Sequence, residues 1–381
     1  MQRPISKLPA VGTNIFTRMS GLAIEVGAIN IAQGFPDFPT DPALIRLVNK
    51  AMEDGYNQYA PMPGLMKLRE QISLKTQELY GRFYNPDTEI SIMPGGTAGL
   101  YSAINALVQL GQEVIVLEPC YDSYIPSIIM AGAKPVRYQM KFPSYSIDWN
   151  EVKSLITPRT RMIIINTPHN PTGSIMNKSD LIALENLVTG TEILVLSDEV
   201  YEHITYDGER HQSVSLFPAL SNQSIMVASF GKTFHVTGWR VGYVLAPEAL
   251  TKEIRKVYQF IAFSTSTPMQ HALAAFHENK DAYLQLSDFF QKKRDYFRTM
   301  IRESRFTLLP ARGSYFQCAT YERITEEADH ELAIRLTNEY KVATIPVSAF
   351  YQDHTDNHVL RFCYAKKEET LEKAAAILCK I

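Results

Sequence analysis

Lys232 closes the apolar run SIMVASFGK (224–232), and Asp198 follows the apolar stretch of EILVLSDEVY (192–201). A charge at the end of a buried strand is costly unless a partner meets it. The aspartate can pair with a nearby lysine or arginine, or it can face a cationic atom of a cofactor. The lysine can snorkel its amine to solvent. It can also serve as a Schiff-base lysine whose amine pKa the site lowers. Ser229 lies three residues before Lys232 and Arg240 eight after it. Both side chains suit phosphate oxygens. Tyr201 ends the aspartate's run.

Other strand ends carry comparable groups. Pro94-Gly95-Gly96-Thr97 precedes the helical pattern GLYSAINALVQL (99–110). A glycine pair opening a helix exposes backbone N–H groups, an anion site in waiting. His169-Asn170-Pro171-Thr172-Gly173 follows MIIINTP (162–168). It reads as a turn, and Asn170 could also donate to a ring oxygen. Tyr121 follows EVIVLEP (113–119), placed either to pack in the core or to stack on a flat cofactor. One flat, phosphorylated, aldehyde-bearing pyridine would use all of these groups. No GxGxxG dinucleotide fingerprint occurs, which opposes an NAD-linked dehydrogenase. Arg361 sits in VLRFCY on the face of Val359 and Cys363. It is either a surface arginine or an inward one that needs a partner. His354 and His358 are four apart in the polar loop QDHTDNH. That spacing suits a metal only on a helix, so no metal site is expected.

The elements that must position these groups alternate. Short Val- and Ile-rich runs, continuous rather than alternating, read as strands buried on both faces of a largely parallel sheet. Amphipathic stretches such as KSDLIALENLV (178–188) lie between them, so the fold class is α/β. Ligands in such sheets bind beyond the C-terminal strand ends. The last third changes character: a long helical segment over 281–303, then separated strand-like runs and a final helix in ETLEKAAAILCK. A large domain over 46–280 is expected, with a smaller α+β domain formed by 1–45 and 281–381.

The chain has 381 residues with a net charge of −2. That balance offers nothing to nucleic acid or an anionic membrane, and the basic run QKKRDYFR (291–298) reads as a solvated helix face. The N-terminal MQRPISKLPAVGTNIF lacks the apolar region of a secretory signal. No apolar run approaches the ~18 residues of a membrane span. The four cysteines are scattered without a CxxC pair, which fits a reducing cytoplasm and argues against structural zinc.

The segment SFGKTFHVTGWR (229–240) resembles the lysine motif of class I (fold-type I) aminotransferases that use pyridoxal 5'-phosphate. QGFPDFP (33–39), NQYAPMPG (57–64), PGGTAGL (94–100), NTPHNPTG (166–173), SDEVYEHI (197–204) and VLRFCYAKKEETL (359–371) follow the family's order. The branch most similar is that of bacterial methionine aminotransferases, beside kynurenine aminotransferases. The resemblance implies a large domain with a mostly parallel seven-stranded sheet plus a smaller α+β domain. It implies that Lys232 bonds the cofactor and shuttles the substrate proton, and that Asp198 pairs with the pyridine nitrogen. Tyr201 and Asn170 are then partners of the ring oxygen, and Tyr121 stacks on the ring. Gly96 and Thr97 backbone N–H groups, Ser229 and Arg240 hold the phosphate. Thr97 stands where kynurenine enzymes carry an aromatic residue, which leaves backbone phosphate binding intact. Tyr59 is expected to reach the phosphate of a neighbouring subunit, hence a homodimer with shared sites. Arg361 grips the substrate carboxylate, assisted by Gly34 and Asn170, and Phe16 lines the substrate pocket.

The implied reaction is ping-pong transfer of an amino group from an apolar or aromatic amino acid to a 2-oxo acid. Methionine is favoured as donor over phenylalanine, tyrosine, histidine and kynurenine. A carbon–sulfur β-lyase on the same scaffold is the alternative. A non-enzymatic cofactor-binding regulator is a remote one, because QGFPDFP begins too early to leave room for a DNA-binding domain.

Overall fold

The computed structural model describes residues 5–381. Residues 1–4, part of both the expected smaller domain and the segment read as lacking a signal, lie outside the described residues.

Strand β1 (Ile29–Asn30) is short. The next seven strands form one sheet: β2 (Ile90–Met93), β3 (Glu113–Glu118), β4 (Lys134–Gln139), β5 (Thr160–Asn166), β6 (Leu194–Asp198), β7 (Ser224–Ser229) and β8 (Gly242–Leu245). Their order is β2-β8-β7-β6-β5-β3-β4. The five strands from β7 to β4 run parallel, and β8 runs antiparallel to both its neighbours. Every residue of β3, β6 and β7 is buried, which explains their unbroken apolar character. The pleat splits them between two cores: Ile115, Ile163, Val195 and Met226 on one face, Val116, Ile164, Leu196 and Val227 on the other. Helix Gly96–Leu107 packs on the second face.

The two edge strands β2 and β4 are absent from the sequence reading. β2 has only four residues, and β4 carries Lys134, Arg137 and Gln139 along an exposed edge. Such charges protect an edge from mispairing and erase the apolar signal.

In the last third, β9 (Thr307–Leu308), β10 (Phe316–Thr320), β12 (Ile345–Pro346) and β13 (Val359–Cys363) form an antiparallel sheet of order β12-β13-β10-β9. β11 (Val342–Ala343) pairs in parallel with β1, which ties the N-terminal segment to the C-terminal one. Helix Ile15–Val26 also packs on helix Asp329–Asn338. The expected long helix over 281–303 is two: Asp281–Leu284 and Leu286–Met300. Among the described residues, no helix is long and apolar enough to cross a membrane.

Candidate active site

Three of the parallel strands, β5, β6 and β7, deliver their last residues, Asn166, Asp198 and Ser229, to one recess. β6 ends on Asp198, in register with Asn166 of β5 and Val227 of β7. The Asp198 carboxylate is buried and accepts hydrogen bonds from the Tyr124 hydroxyl at 2.6 Å and the Val200 N–H at 3.3 Å. Burial pushes its pKa up to about 6, although both donors and the charge of Lys232 oppose that. Lys232 sits in the short helix Phe230–Thr233 that follows β7. Its amine donates to the Tyr315 hydroxyl at 2.8 Å and to the Gly34 carbonyl at 3.1 Å. Burial lowers its pKa to about 8.

The far end of the recess is built for an anion. Helix Gly96–Leu107 begins without a side-chain cap, on Gly95 at φ 88°. Its first N–H groups therefore lack intrahelical partners and carry the positive end of the helix dipole. A Cβ on Gly95 would lie 2.5 Å from Arg240 Nη2. Glycine at 95 thus admits the guanidinium against the helix terminus. Arg240 adopts φ 54°, and its Nη1 donates to the Thr237 carbonyl at 3.0 Å. Gly96, Thr97, Ser229 and Arg240 line this end, with Tyr121, Asn170, Asp198, Tyr201 and Lys232 around the remainder. Of the expected cofactor residues only Tyr59 stands apart. Its side chain is 83% exposed, with its ring edge-on to Phe263.

Arg361 is fully buried on β13. Nη1 donates to Asn170 Oδ1 at 2.6 Å and Nη2 to the Ala32 carbonyl at 2.8 Å, while Nε has no partner. The guanidinium lies 3.9 Å from the Phe316 ring centre, with Phe16 at 5.2 Å and Phe350 at 5.3 Å. The Phe316 ring also occupies the space a Cβ on Gly34 would need, 2.7 Å from its Cζ.

Residues 26–378 match the family model described as aminotransferase class I and II. The chain belongs to that family. It is 45% identical to a methionine aminotransferase of Escherichia coli over 98% of this chain and 97% of that one. A solved structure of an Escherichia coli methionine aminotransferase superposes with a TM-score of 0.97 at 44% identity, covering all of both chains. The N-succinyldiaminopimelate aminotransferase structure from Mycobacterium tuberculosis gives a TM-score of 0.95 at 33% identity, over 99% of this chain and 100% of that one. A human kynurenine–oxoglutarate transaminase is 32% identical over 98% of this chain and 89% of its own.

In this aminotransferase several residues in or behind the recess were not legible as such. Tyr124, on Asp198, sits three residues past Tyr121. Asn166 lines the recess as the last residue of β5, and its amide donates to the Asp198 carbonyl at 2.8 Å while its Oδ1 accepts from the Asn170 N–H at 2.8 Å. The strand-end rule applied to the run's own last residue would have found it. Tyr315, Phe316 and Phe350 carry no local signal. They come to the site through the C-terminal sheet and the turn after β12.

Proposed function

We propose that this enzyme binds pyridoxal 5'-phosphate in the recess and moves the amino group of an apolar or aromatic amino acid, methionine first, to a 2-oxo acid. One observation carries the reading: a buried carboxylate with no cationic partner in contact and a lysine whose pKa its site lowers line the same recess, and its other end is an uncapped helix terminus beside Ser229 and Arg240. The residues fit the cofactor. Asp198 Oδ1 has only the long Val200 contact and so keeps acceptor capacity for a pyridine N–H. The free N–H groups of Gly96 and Thr97, the Ser229 hydroxyl and the Arg240 guanidinium form a phosphate donor set. Tyr121 supplies a ring face, and Tyr201 and Asn170 supply donors to the ring oxygen.

Bound pyridoxal phosphate supplies an electron sink for the charge left at substrate Cα. Asp198 keeps the pyridine nitrogen protonated; an ion pair at about 4 Å and effective dielectric ~20 is worth ~4 kcal/mol against ~1 for a neutral hydrogen bond. The free amine of Lys232 is the base that takes the Cα proton, and its lowered pKa keeps a useful neutral fraction near pH 7. Arg361 Nε, buried without a partner, and the Asn170 amide hold the substrate carboxylate. Phe16 and Phe350 stand around that guanidinium and offer apolar surface beside the bound substrate, in keeping with relatives that act on methionine and kynurenine.

The assembly we propose is a cytoplasmic homodimer with shared sites. Tyr59 and Phe260, more than four-fifths exposed, lie with Phe263 and Ile261 among the exposed apolar side chains, a surface that water covers poorly. Tyr59 would reach a partner's phosphate. We place the domain division at 46–280 against 1–45 with 281–381. The four cysteines are free, as suits a reducing compartment.

The test is a half-reaction screen on the purified protein loaded with pyridoxal phosphate. Methionine, phenylalanine and tyrosine should bleach the visible absorption, aspartate should not, and borohydride should fix the cofactor on Lys232. A colourless protein that borohydride leaves unlabelled would end the reading. Ammonia and pyruvate release from cysteine, whose sulfur is on Cβ, without a 2-oxo acid acceptor would turn it toward the lyase.

A further inference from the structure

Tyr315 touches neither the carboxylate of Asp198 nor the guanidinium of Arg361 through a hydrogen bond, yet it is bonded to Lys232. Its ring is buried just before β10, edge-on to Tyr201 with centres 5.0 Å apart. Its hydroxyl donates to the Gly34 carbonyl at 2.6 Å. A carbonyl can only accept, so the tyrosine's single proton is committed there and its oxygen is left as an acceptor. Lys232 Nζ donates to that oxygen at 2.8 Å and to the same carbonyl at 3.1 Å. Lys232 lines the recess, whereas neither Tyr315 nor Gly34 does. Both acceptors hold the amine at the edge of the recess.

A neutral amine has two N–H bonds and one lone pair. The two acceptors stand 2.6 Å apart, so they engage the N–H bonds on one side of the nitrogen and leave the lone pair without a partner. We propose that Tyr315 and the Gly34 carbonyl form a clip that holds the free Lys232 amine by its N–H bonds and leaves its lone pair free beside the recess. The proposal rests on Lys232 being the base that takes the substrate Cα proton. Tyr315 acts on the substrate only through that amine, so it is a positioning residue. Both halves of the clip come from outside the seven-stranded sheet: Gly34 from the N-terminal segment, Tyr315 from the C-terminal one. Lys232 itself hangs from the large sheet. The clip is complete only when the two outer segments are seated on the lysine.

The substitution Tyr315→Phe removes the hydroxyl and keeps the ring packed on Tyr201 and Phe290. The first measurement uses the full-length cofactor-free protein. Acetic anhydride labelling of Lys232, followed by peptide mass spectrometry across pH, reads the amine's ionisation. The titratable groups acting on this amine are Asp198 and Cys363, which favour its charge when they are themselves ionised, and Arg240 and Arg361, which oppose it. All four are retained in the variant. Loss of an oxygen that accepts from the ammonium should move the labelling midpoint to lower pH. The second measurement uses the cofactor-loaded enzyme with methionine. The half-reaction rate at saturation should fall about tenfold or more, with KM within roughly twofold, because orientation of the base and not substrate binding is lost.

Borohydride trapping on Lys232 in both proteins separates the two layers. Trapping in neither overturns the assignment of Lys232 on which the clip depends. Trapping in both, with the variant's labelling midpoint and saturated rate equal to those of the natural sequence, overturns the clip alone.

Discussion

Lys75, fully buried, and Lys232, half-buried, both lie close to carboxylates that follow or end β6, yet their surroundings differ in kind. Lys75 Nζ meets Glu202 at 2.6 Å with both side chains 1% exposed, and it also donates to the Tyr243 hydroxyl at 2.6 Å. The Tyr80 and Tyr243 hydroxyls complete the carboxylate. Burial works to raise the Glu202 pKa, but the charge of Lys75 and these donors hold it well below the usual carboxylate range. Lys232 and Asp198 receive no such treatment. Each is bonded to neutral groups, and burial moves the amine down to about 8 and the carboxyl up to about 6. The first cluster is closed and every charge in it is answered. The second is held open, with its ionisation balanced near neutrality. An open buried charge lowers stability and is retained where a ligand completes it.

The contrast is broken or kept by swapping the lysines. Lys232→Ala should reduce turnover by about 10⁴-fold or more, while the cofactor-free protein unfolds at the same temperature or higher. Lys75→Met should do the reverse, stranding Glu202 in the core at a cost of ~3–5 kcal/mol with no direct effect on the chemical step. Thermal unfolding of the two cofactor-free variants, beside single-turnover rates with methionine, checks both. A destabilised Lys232→Ala with a normal Lys75→Met would invert the comparison.

The Asp198 carboxyl gives a titratable form of the same point. Its folded-state pKa lies above its unfolded one, so the folded cofactor-free protein keeps a proton that the unfolded chain has released. The stability this group contributes is whole below about pH 4 and is lost as pH rises through about 6. A carboxyl moved from 3.8 to about 6 is worth ~3 kcal/mol at roughly 1.4 kcal/mol per pH unit. Denaturant unfolding of the cofactor-free protein minus that of Asp198→Asn, taken from pH 4 to pH 7, should show this fall. A flat difference would mean the carboxylate already has a strong partner.

The open cluster was legible in the sequence, and the closed one was not. Asp198 and Lys232 end continuous apolar runs, where a charge contradicts its surroundings. Lys75 lies inside a helix of mixed character, Met66–Tyr80, and only the fold shows that it turns inward. The sheet shows the same asymmetry. β3, β5, β6 and β7 are apolar because both faces are covered, whereas β4 is an edge and β8 hides its reversed direction behind equally buried residues. The C-terminal sheet is assembled from pieces as short as two residues. Its contributions to the site, Tyr315 and Phe316, depend on pairing across distant sequence, which no local pattern encodes.

Arg361 sharpens the comparison by mixing both kinds of surrounding. Two of its nitrogens are answered as those of a structural residue would be, by Asn170 and the Ala32 carbonyl, while Nε is left free and the Phe316 ring holds the plane of the guanidinium. Lysine keeps the charge but has neither the flat face for that ring nor several donors fixed in one plane. Arg361→Lys should therefore fold, and it should weaken substrate capture by about the worth of one charge-assisted hydrogen bond, ~1.5–3 kcal/mol or roughly 10–150-fold in kcat/KM. The loss should fall mainly on KM, because the carboxylate is held alike before and during proton removal. It should be similar for methionine and phenylalanine, which share that carboxylate and differ beyond it. A loss confined to one of them would move Arg361 from the carboxylate to the side-chain end of the pocket.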